Sequence, residues 1–172
     1  MAVHLRAPEL DGAHLFEAAS WLMDRCRGPG CSLFVNDRLD VALAVGALGV
    51  HLKANSMDPQ AARAVGGPDL VLGQSIHRAA EAGSAGAAPL DYLVMGSVFP
   101  TLTHPGQSAL PTTAPSMAAT ASSIPVLAVG GITPGRVADL IEAGMYGVVV
   151  FRGIWEADRP REAVSAYLEI LS

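Results

Sequence analysis

Residues 96–107 read "GSVFPTLTHPGQ" and set two threonines and a histidine, Thr101, Thr103 and His104, directly after the apolar run "DYLVM". Two hydroxyls and an imidazole can all contact a phosphate or diphosphate, and an imidazole is half-charged near its unperturbed pKa of ~6.5. Proline removes a backbone donor and glycine weakens helix and strand alike, so the stretch reads as a loop. From Val98 to Thr112 it is long for a connection, and long ordered loops are often lids or binding loops. The alternative is a surface loop punctuated by proline and glycine.

Other stretches suit the same chemistry. In "AVGGIT" (128–133), Gly130 and Gly131 end a strand just before a helix, where backbone N–H groups and the helix start favour an anion. "FRGIW" (151–155) repeats the idea one unit later with Arg152 and Gly153. Paired glycines also serve simply as turns. "VNDRLD" (35–40) puts Asn36 and Asp37 at a strand end, a place for functional groups but also for a helix cap. Arg6, followed by Pro8, is an anion ligand or a rim ion pair. Ser75 and His77 in "GQSIH" and His51 in "GVHL" lie near strand ends, where each can be a structural group; His51 reads mainly as one. Lys53 faces either a site or solvent.

Positioning these residues requires a regular scaffold. Apolar runs without alternation occur at 3–7, 31–36, 49–52, 70–75, 91–97, 125–131 and 147–153, the signature of parallel strands covered on both faces. Amphipathic segments lie between them. "DGAHLFEAASWLMDRC" has Asp11 as N-cap and Leu15, Ala18, Ala19 and Leu22 on one face. "DRLDVALAVGA", "DPQAARAVG" and "HRAAEAGSAGA" follow the next three strands, the last weakened by its glycines. Residues 112–123 read as a further helix. "TPGRVADLIEAG" offers Thr133 as cap, Pro134 at the first helical position and Gly144 past the end; "RPREAVSAYLEIL" is last.

Alternating β and α implies a parallel sheet with crossover helices. No glycine-rich turn follows the first strand, which argues against an open nucleotide-binding sheet. Glycines gather instead after the last two strands, where (β/α)8 barrels keep a phosphate site. The expectation is therefore an α/β chain of the TIM-barrel type with seven β/α units, second to eighth of eight, in one domain over 1–172.

Composition narrows the partners. Hydrophobic residues make up 51%, enough to fill one core, and aromatics only 5%, so aliphatics must pack it. The formal net charge of −5, with no Lys/Arg cluster, argues against nucleic acid. No apolar run is long enough to span a bilayer, and "MAVHLRAPEL" lacks the pattern of a signal peptide. Cys26 and Cys31 lack a second pair, so they read as two reduced thiols of a cytoplasmic protein.

Taken in order, "VHLRAP", "VNDRLDVALAVGALGVHL", "GQSIH", "DYLVMGSVFPTLTHPG", "PVLAVGGITPGRV" and "EAGMYGVVVFRGIW" resemble the thiamine phosphate synthase family and its thiazole tautomerase (TenI-like) relatives, barrels of thiamine biosynthesis. The synthases displace diphosphate from a hydroxymethylpyrimidine diphosphate and capture the pyrimidine carbocation with the nitrogen of a thiazole phosphate. By that resemblance Arg6 and Asn36 match diphosphate ligands, Asp37 a magnesium ligand and Ser75 another diphosphate-side group. Thr101, Thr103, Gly131 and the backbone near Arg152 and Gly153 match the thiazole-phosphate site.

Departures from the family pattern bear on activity. The pattern has a lysine where Pro8 stands, an acidic magnesium ligand where Ser56 stands, and a lysine where His104 stands. Magnesium held by Asp37 alone would bind weakly, because Mg²⁺ takes one or two carboxylates together with substrate phosphates. The tautomerase branch needs neither metal nor diphosphate, but its histidine follows Gly96, where this chain has Ser97; His104 is the substitute if it reaches the substrate. "RAP" and "THPG" also resemble tautomerase-like domains fused behind Nudix hydrolases. These departures favour a divergent, tautomerase-like role over efficient synthase activity, with His104 and Ser75 as catalytic candidates. The rivals are a working synthase and a non-catalytic phosphate-ligand-binding protein. The family's first strand and helix have no counterpart before Met1, which implies a shortened chain, an open barrel, or a homo-oligomer in which a second copy covers the gap.

Overall fold

The computed structural model describes residues 1–28, 30–101 and 109–171. Strands and helices alternate along them, and the chain divides into two compact units, Met1–Ser75 with Ala88–Asp91, and Ile76–Ala87 with Tyr92–Ser172. None of the described helices is long and apolar enough to cross a membrane.

Unit 1 is built on β1 (Ala2–Leu5), β2 (Ser32–Asn36), β3 (Gly49–Leu52) and β4 (Val71–Ile76, whose last residue falls in unit 2). They pair in parallel, with Val3 opposite Leu33, Val35 opposite Val50, and Val50 opposite Leu72. Leu33, Val35, Val50, Leu52 and Leu72 are fully buried. Continuous apolar sequence is thus matched by strands covered on both faces at β2 and β3, whereas β1 is only half-buried and its Ala2 is exposed.

Helices α1 (Gly12–Cys26), α2 (Leu39–Val45) and α3 (Pro59–Gly66) connect these strands. Asp11 caps α1 by accepting from the His14 N–H, and the helix buries Leu15 and Ala19 while Ala18 and Leu22 are half-buried. Asp58 caps α3 by accepting from the N–H groups of Gln60 and Ala61, with Pro59 at the start, where its missing donor costs nothing.

Unit 2 holds α4 (Ala82–Gly86), β5 (Tyr92–Gly96), α5 (Ala114–Ala121), β6 (Val126–Val129), α6 (Val137–Glu142), β7 (Gly147–Val149), α7 (Arg152–Trp155) and α8 (Pro160–Leu171). Its strands are again parallel, Met95 opposite Ala128 and Ala128 opposite Val148. Every residue of β5 is buried.

Three boundaries differ from the sequence expectations. A 3-10 turn, Ala79–Glu81, precedes the short α4 in the glycine-containing segment. Another, Pro134–Arg136, replaces the first turn expected at Pro134, and the Thr133 side chain makes no capping bond. The last apolar run, expected extended to residue 153, leaves the sheet after Val149. From Phe151 the chain turns helical, because the Ile154 and Trp155 N–H groups bond the Phe151 carbonyl and Arg152 pairs with Glu156 one turn on.

Candidate functional site

In unit 1 the carboxyl ends of β1, β2 and β3 open into a concavity of about 190 Å³ lined by Arg6, Asn36, Asp37, Arg38 and Lys53, with Pro8 on its wall. Arg6 follows β1 directly, is exposed, and meets no hydrogen-bond or ion-pair partner among the described residues. Arg38 already donates from Nε and Nη2, one edge of its guanidinium, to the two Asp40 carboxylate oxygens at 2.9 and 2.7 Å.

Asp37 is held from several sides. It adopts a left-handed backbone with φ 59°, and its N–H donates to the His51 carbonyl at 2.9 Å. Its Oδ1 accepts from the Lys53 N–H at 2.9 Å, and its Oδ2 forms an ion pair with the Lys53 ammonium. Burial pushes this carboxyl up, but hydrogen bonds from the Lys53 ammonium and N–H and from the Ser56 side chain, with the Lys53 charge, bring it below its ordinary value.

This donor set does not fit magnesium. The position expected to bring the second carboxylate carries Ser56, which hydrogen-bonds Asp37. The Asp37 oxygens are already taken by a cation and an amide. Among the described residues, no group of three or more His, Cys, Asp or Glu side chains could hold a metal ion.

Ser75 is not among the residues that line this concavity; its Oγ hydrogen-bonds His51 Nε2 at 2.8 Å. The His4 ring lies 5.5 Å from that of His51 and stacks on Phe34 at 5.0 Å. Burial pushes His4 down to about 4. His51 also falls to about 4, first by burial and then by His4, against an upward pull from Asp37.

In unit 2 the loop after β5 runs beside the glycines after β6. Val98 and Phe99 donate to the carbonyls of Val129 and Gly130, at 2.9 and 3.1 Å, which leads the chain to Thr101. Gly131 has φ 63°, and a Cβ on it would collide with the Pro100 carbonyl and Phe99. Only glycine suits that backbone and that approach. Arg136 donates to the Gly131 carbonyl at 2.7 Å and lies over the Phe99 ring at 4.5 Å. This places a guanidinium beside the expected phosphate glycines.

Arg136 and Arg38 escaped the sequence reading, which saw the first only as part of a helix and the second only after a cap. No sequence spacing signals Arg136, because its partner is the carbonyl at the Gly131 turn. His77 places Nδ1 3.0 Å from the Gly96 carbonyl oxygen, beside Ser97.

Gly153 and Arg152 have local roles of their own. Arg152 spends its guanidinium on Glu156 through two bonds of 2.7 Å. A Cβ on Gly153 would stand 2.5 Å from the hydroxyl of Tyr167, which donates to the Ile132 carbonyl at 3.0 Å. Tyr167 thus ties Gly153 to the segment beside Gly131. Thr103 and His104 lie outside the described residues.

The family model described as thiamine monophosphate synthase matches residues 1–154. A thiamine-phosphate synthase of Salinispora arenicola is 44% identical over 149 residues, covering 86% of this chain and 71% of that protein. The bifunctional ThiM/ThiE protein of Symbiobacterium thermophilum is 41% identical over 89% of this chain, which spans only 32% of that protein's length. Among solved structures, thiamine phosphate pyrophosphorylase from Pyrococcus furiosus superimposes with a TM-score of 0.90 at 30% identity, over 99% of this chain and 82% of that one. On sequence and on fold, the chain belongs to the thiamine monophosphate synthase family.

Proposed function

We propose that this chain joins a hydroxymethylpyrimidine diphosphate to a thiazole phosphate, the transfer that its resemblance to the thiamine phosphate synthases implies. The observation that carries this reading is the concavity of unit 1, where Lys53 is paired with Asp37, Arg38 with Asp40, and Arg6 adds a positive charge with no such partner among the described residues. Such a lining suits a polyanionic diphosphate. Isomerising a thiazole phosphate has no need of it.

In the reaction, the bond between the pyrimidine's methylene carbon and the diphosphate oxygen breaks, and the diphosphate departs with the electron pair. The lone pair of the thiazole nitrogen then forms the new C–N bond. Arg6, Asn36 and Lys53 stabilise the charge that develops on the leaving oxygens. Ser75, oriented by neutral His51, is a further donor on the diphosphate side. Backbone N–H groups around Gly131, the hydroxyls of Thr101 and Thr103, and Arg136 take the thiazole's phosphate, while His104 supplies the loop cation.

Tautomerisation of the thiazole phosphate is the second reading. One contact favours it: His77 reaches the Gly96 carbonyl, next to the position where the tautomerase branch carries its histidine.

The full chain incubated with both substrates, its product oxidised to a fluorescent thiochrome, tests the transfer. Product is expected, and Arg6→Ala should lower kcat/KM by about tenfold or more. Absence of product with tautomer exchange of the thiazole seen by NMR would establish the second reading instead. Neither activity would overturn both.

A further inference from the structure

We propose that Lys53 takes the place of the metal ion in unit 1: its ammonium, held by Asp37, is the fixed cation that receives a diphosphate, so that this chain binds diphosphates without a divalent ion. The inference rests on the diphosphate half of the function proposed above. It begins from the mismatch at Asp37, where a lysine and a serine stand around a carboxylate that would otherwise share a metal.

The lysine is anchored rather than trailing. Its N–H is fixed to Asp37 Oδ1 at 2.9 Å, immediately past the register in which Asn36 lies opposite His51. Its ammonium meets the other oxygen of the same carboxylate. An ammonium has three donors. Asp37 occupies one of them, which leaves two for an anion at the concavity that Lys53 lines.

Exposure gives the pair an inside and an outside. The Lys53 side chain is 49% exposed and that of Asp37 is 15% exposed. The carboxylate therefore sits behind the cation, as it would behind a bound metal ion, and an arriving anion meets the positive end first. Ser56 hydrogen-bonds the carboxylate and adds no negative charge.

The charges also balance. Arg38 is neutralised by Asp40 and Lys53 by Asp37, which leaves Arg6 as the unpaired positive group of this lining among the described residues. A bare Asp37 would repel a diphosphate; paired with Lys53 it no longer does, and Arg6 supplies the net attraction. The ammonium is a singly charged, weaker substitute for Mg²⁺. It needs no binding event of its own and is always present.

Calorimetric titration of inorganic pyrophosphate into the full chain, first in EDTA and then in excess Mg²⁺, is the test. The dissociation constants should agree within about twofold, and Lys53→Met should weaken binding by about tenfold or more, ~1.4 kcal/mol. Thiazole phosphate titrated into the same variant should bind as in the parent, which shows that Lys53→Met has folded. Replacing the cation by a metal site, with Lys53→Gly and Ser56→Asp together, should create a Mn²⁺ site visible by electron paramagnetic resonance and make pyrophosphate binding metal-dependent.

Pyrophosphate binding that requires Mg²⁺ in the parent chain, no binding in either buffer, or full affinity in Lys53→Met would each overturn the proposal. The two readings fail separately. Product formed only with Mg²⁺ leaves the transfer standing and removes the role of Lys53, whereas metal-free pyrophosphate binding without product does the reverse.

Discussion

His51 Nε2 lies 2.8 Å from Ser75 Oγ, the imidazole buried and the hydroxyl half-exposed, so that the ring holds the serine from the core side. The two residues share one sheet face, since His51 is opposite Gly73 on β4 and Ser75 stands two residues further. His4 approaches from β1 and stacks on Phe34. The row is polar within an aliphatic core, and its members remain neutral at pH 7 because burial disfavours the imidazolium.

That neutrality predicts an acid limb of stability. The folded-state values of His4 and His51, about 4, lie below the 6.5 of the unfolded chain. Between those values the unfolded state binds more protons, so stability must fall as pH drops through the window. Over the full window the loss should approach about 3 kcal/mol for each histidine. Urea unfolding at a series of pH values reads it directly, and a His4→Gln, His51→Gln double variant should flatten most of the slope. An undiminished slope in that variant would assign the effect to other groups. Carboxylates held below their usual values, Asp37 among them, lose their contribution only at lower pH.

Gly131 joins a constrained backbone turn to the proposed thiazole-phosphate site. Alanine there must adopt φ 63° and push against the Pro100 carbonyl and Phe99. Gly131→Ala should cost about 1–3 kcal/mol of stability. It should also weaken thiazole phosphate binding by about fivefold or more, because the Phe99–Thr101 segment has to move. Calorimetry on the folded variant checks the second effect; unchanged affinity would remove Gly131 from the binding loop.

How far the sequence revealed this arrangement differs between backbone and side chains. Apolar runs and caps such as Asp11 report on local free energy, which is why strands and helices alternate where periodicity places them. Lys53 shows the limit. One residue past β3, it could face solvent or the concavity, and only the register of β3 against β2 turns its N–H and ammonium onto Asp37. Arg136 is similar, since its target is a carbonyl exposed by the turn at Gly131 rather than a neighbour at helical spacing. Phe151 departs from expectation for a different reason: "VVVF" has strand propensity throughout, and the helical turn that follows depends on the Arg152–Glu156 pair and on packing against α8.

Arg63 forms a junction that no ligand explains. Its guanidinium donates to the carbonyls of Gly67, Leu70 and Pro89 at 3.0, 2.6 and 3.2 Å, and to Asp91 Oδ2 at 2.7 Å. Asp91 in turn accepts from the Leu72 N–H at 2.7 Å. Arg63→Ala should cost about 2–3 kcal/mol, mainly through the carbonyls left unpaired. Arg63→Lys should recover less than half of that, because an ammonium cannot span these directions as a planar fork does. Equal stability of the lysine variant and the parent would reduce the junction to an ordinary ion pair.

Tyr167 and Gly153 are coupled through one contact. Its hydroxyl both bonds the Ile132 carbonyl at 3.0 Å and fills the space above Gly153. Tyr167→Phe should cost about 1–2 kcal/mol for the orphaned carbonyl. Gly153→Ala should cost about 1–3 kcal/mol, because the new methyl displaces the hydroxyl. In the double variant the methyl enters space already vacated by oxygen, and the carbonyl has already lost its donor. The combined loss should therefore fall short of the sum by about 1 kcal/mol, measurable as a double-mutant cycle in chemical denaturation. Strict additivity would mean that Gly153 is required by something other than Tyr167, and the proposed contact of its backbone with a phosphate would become the better explanation for the glycine.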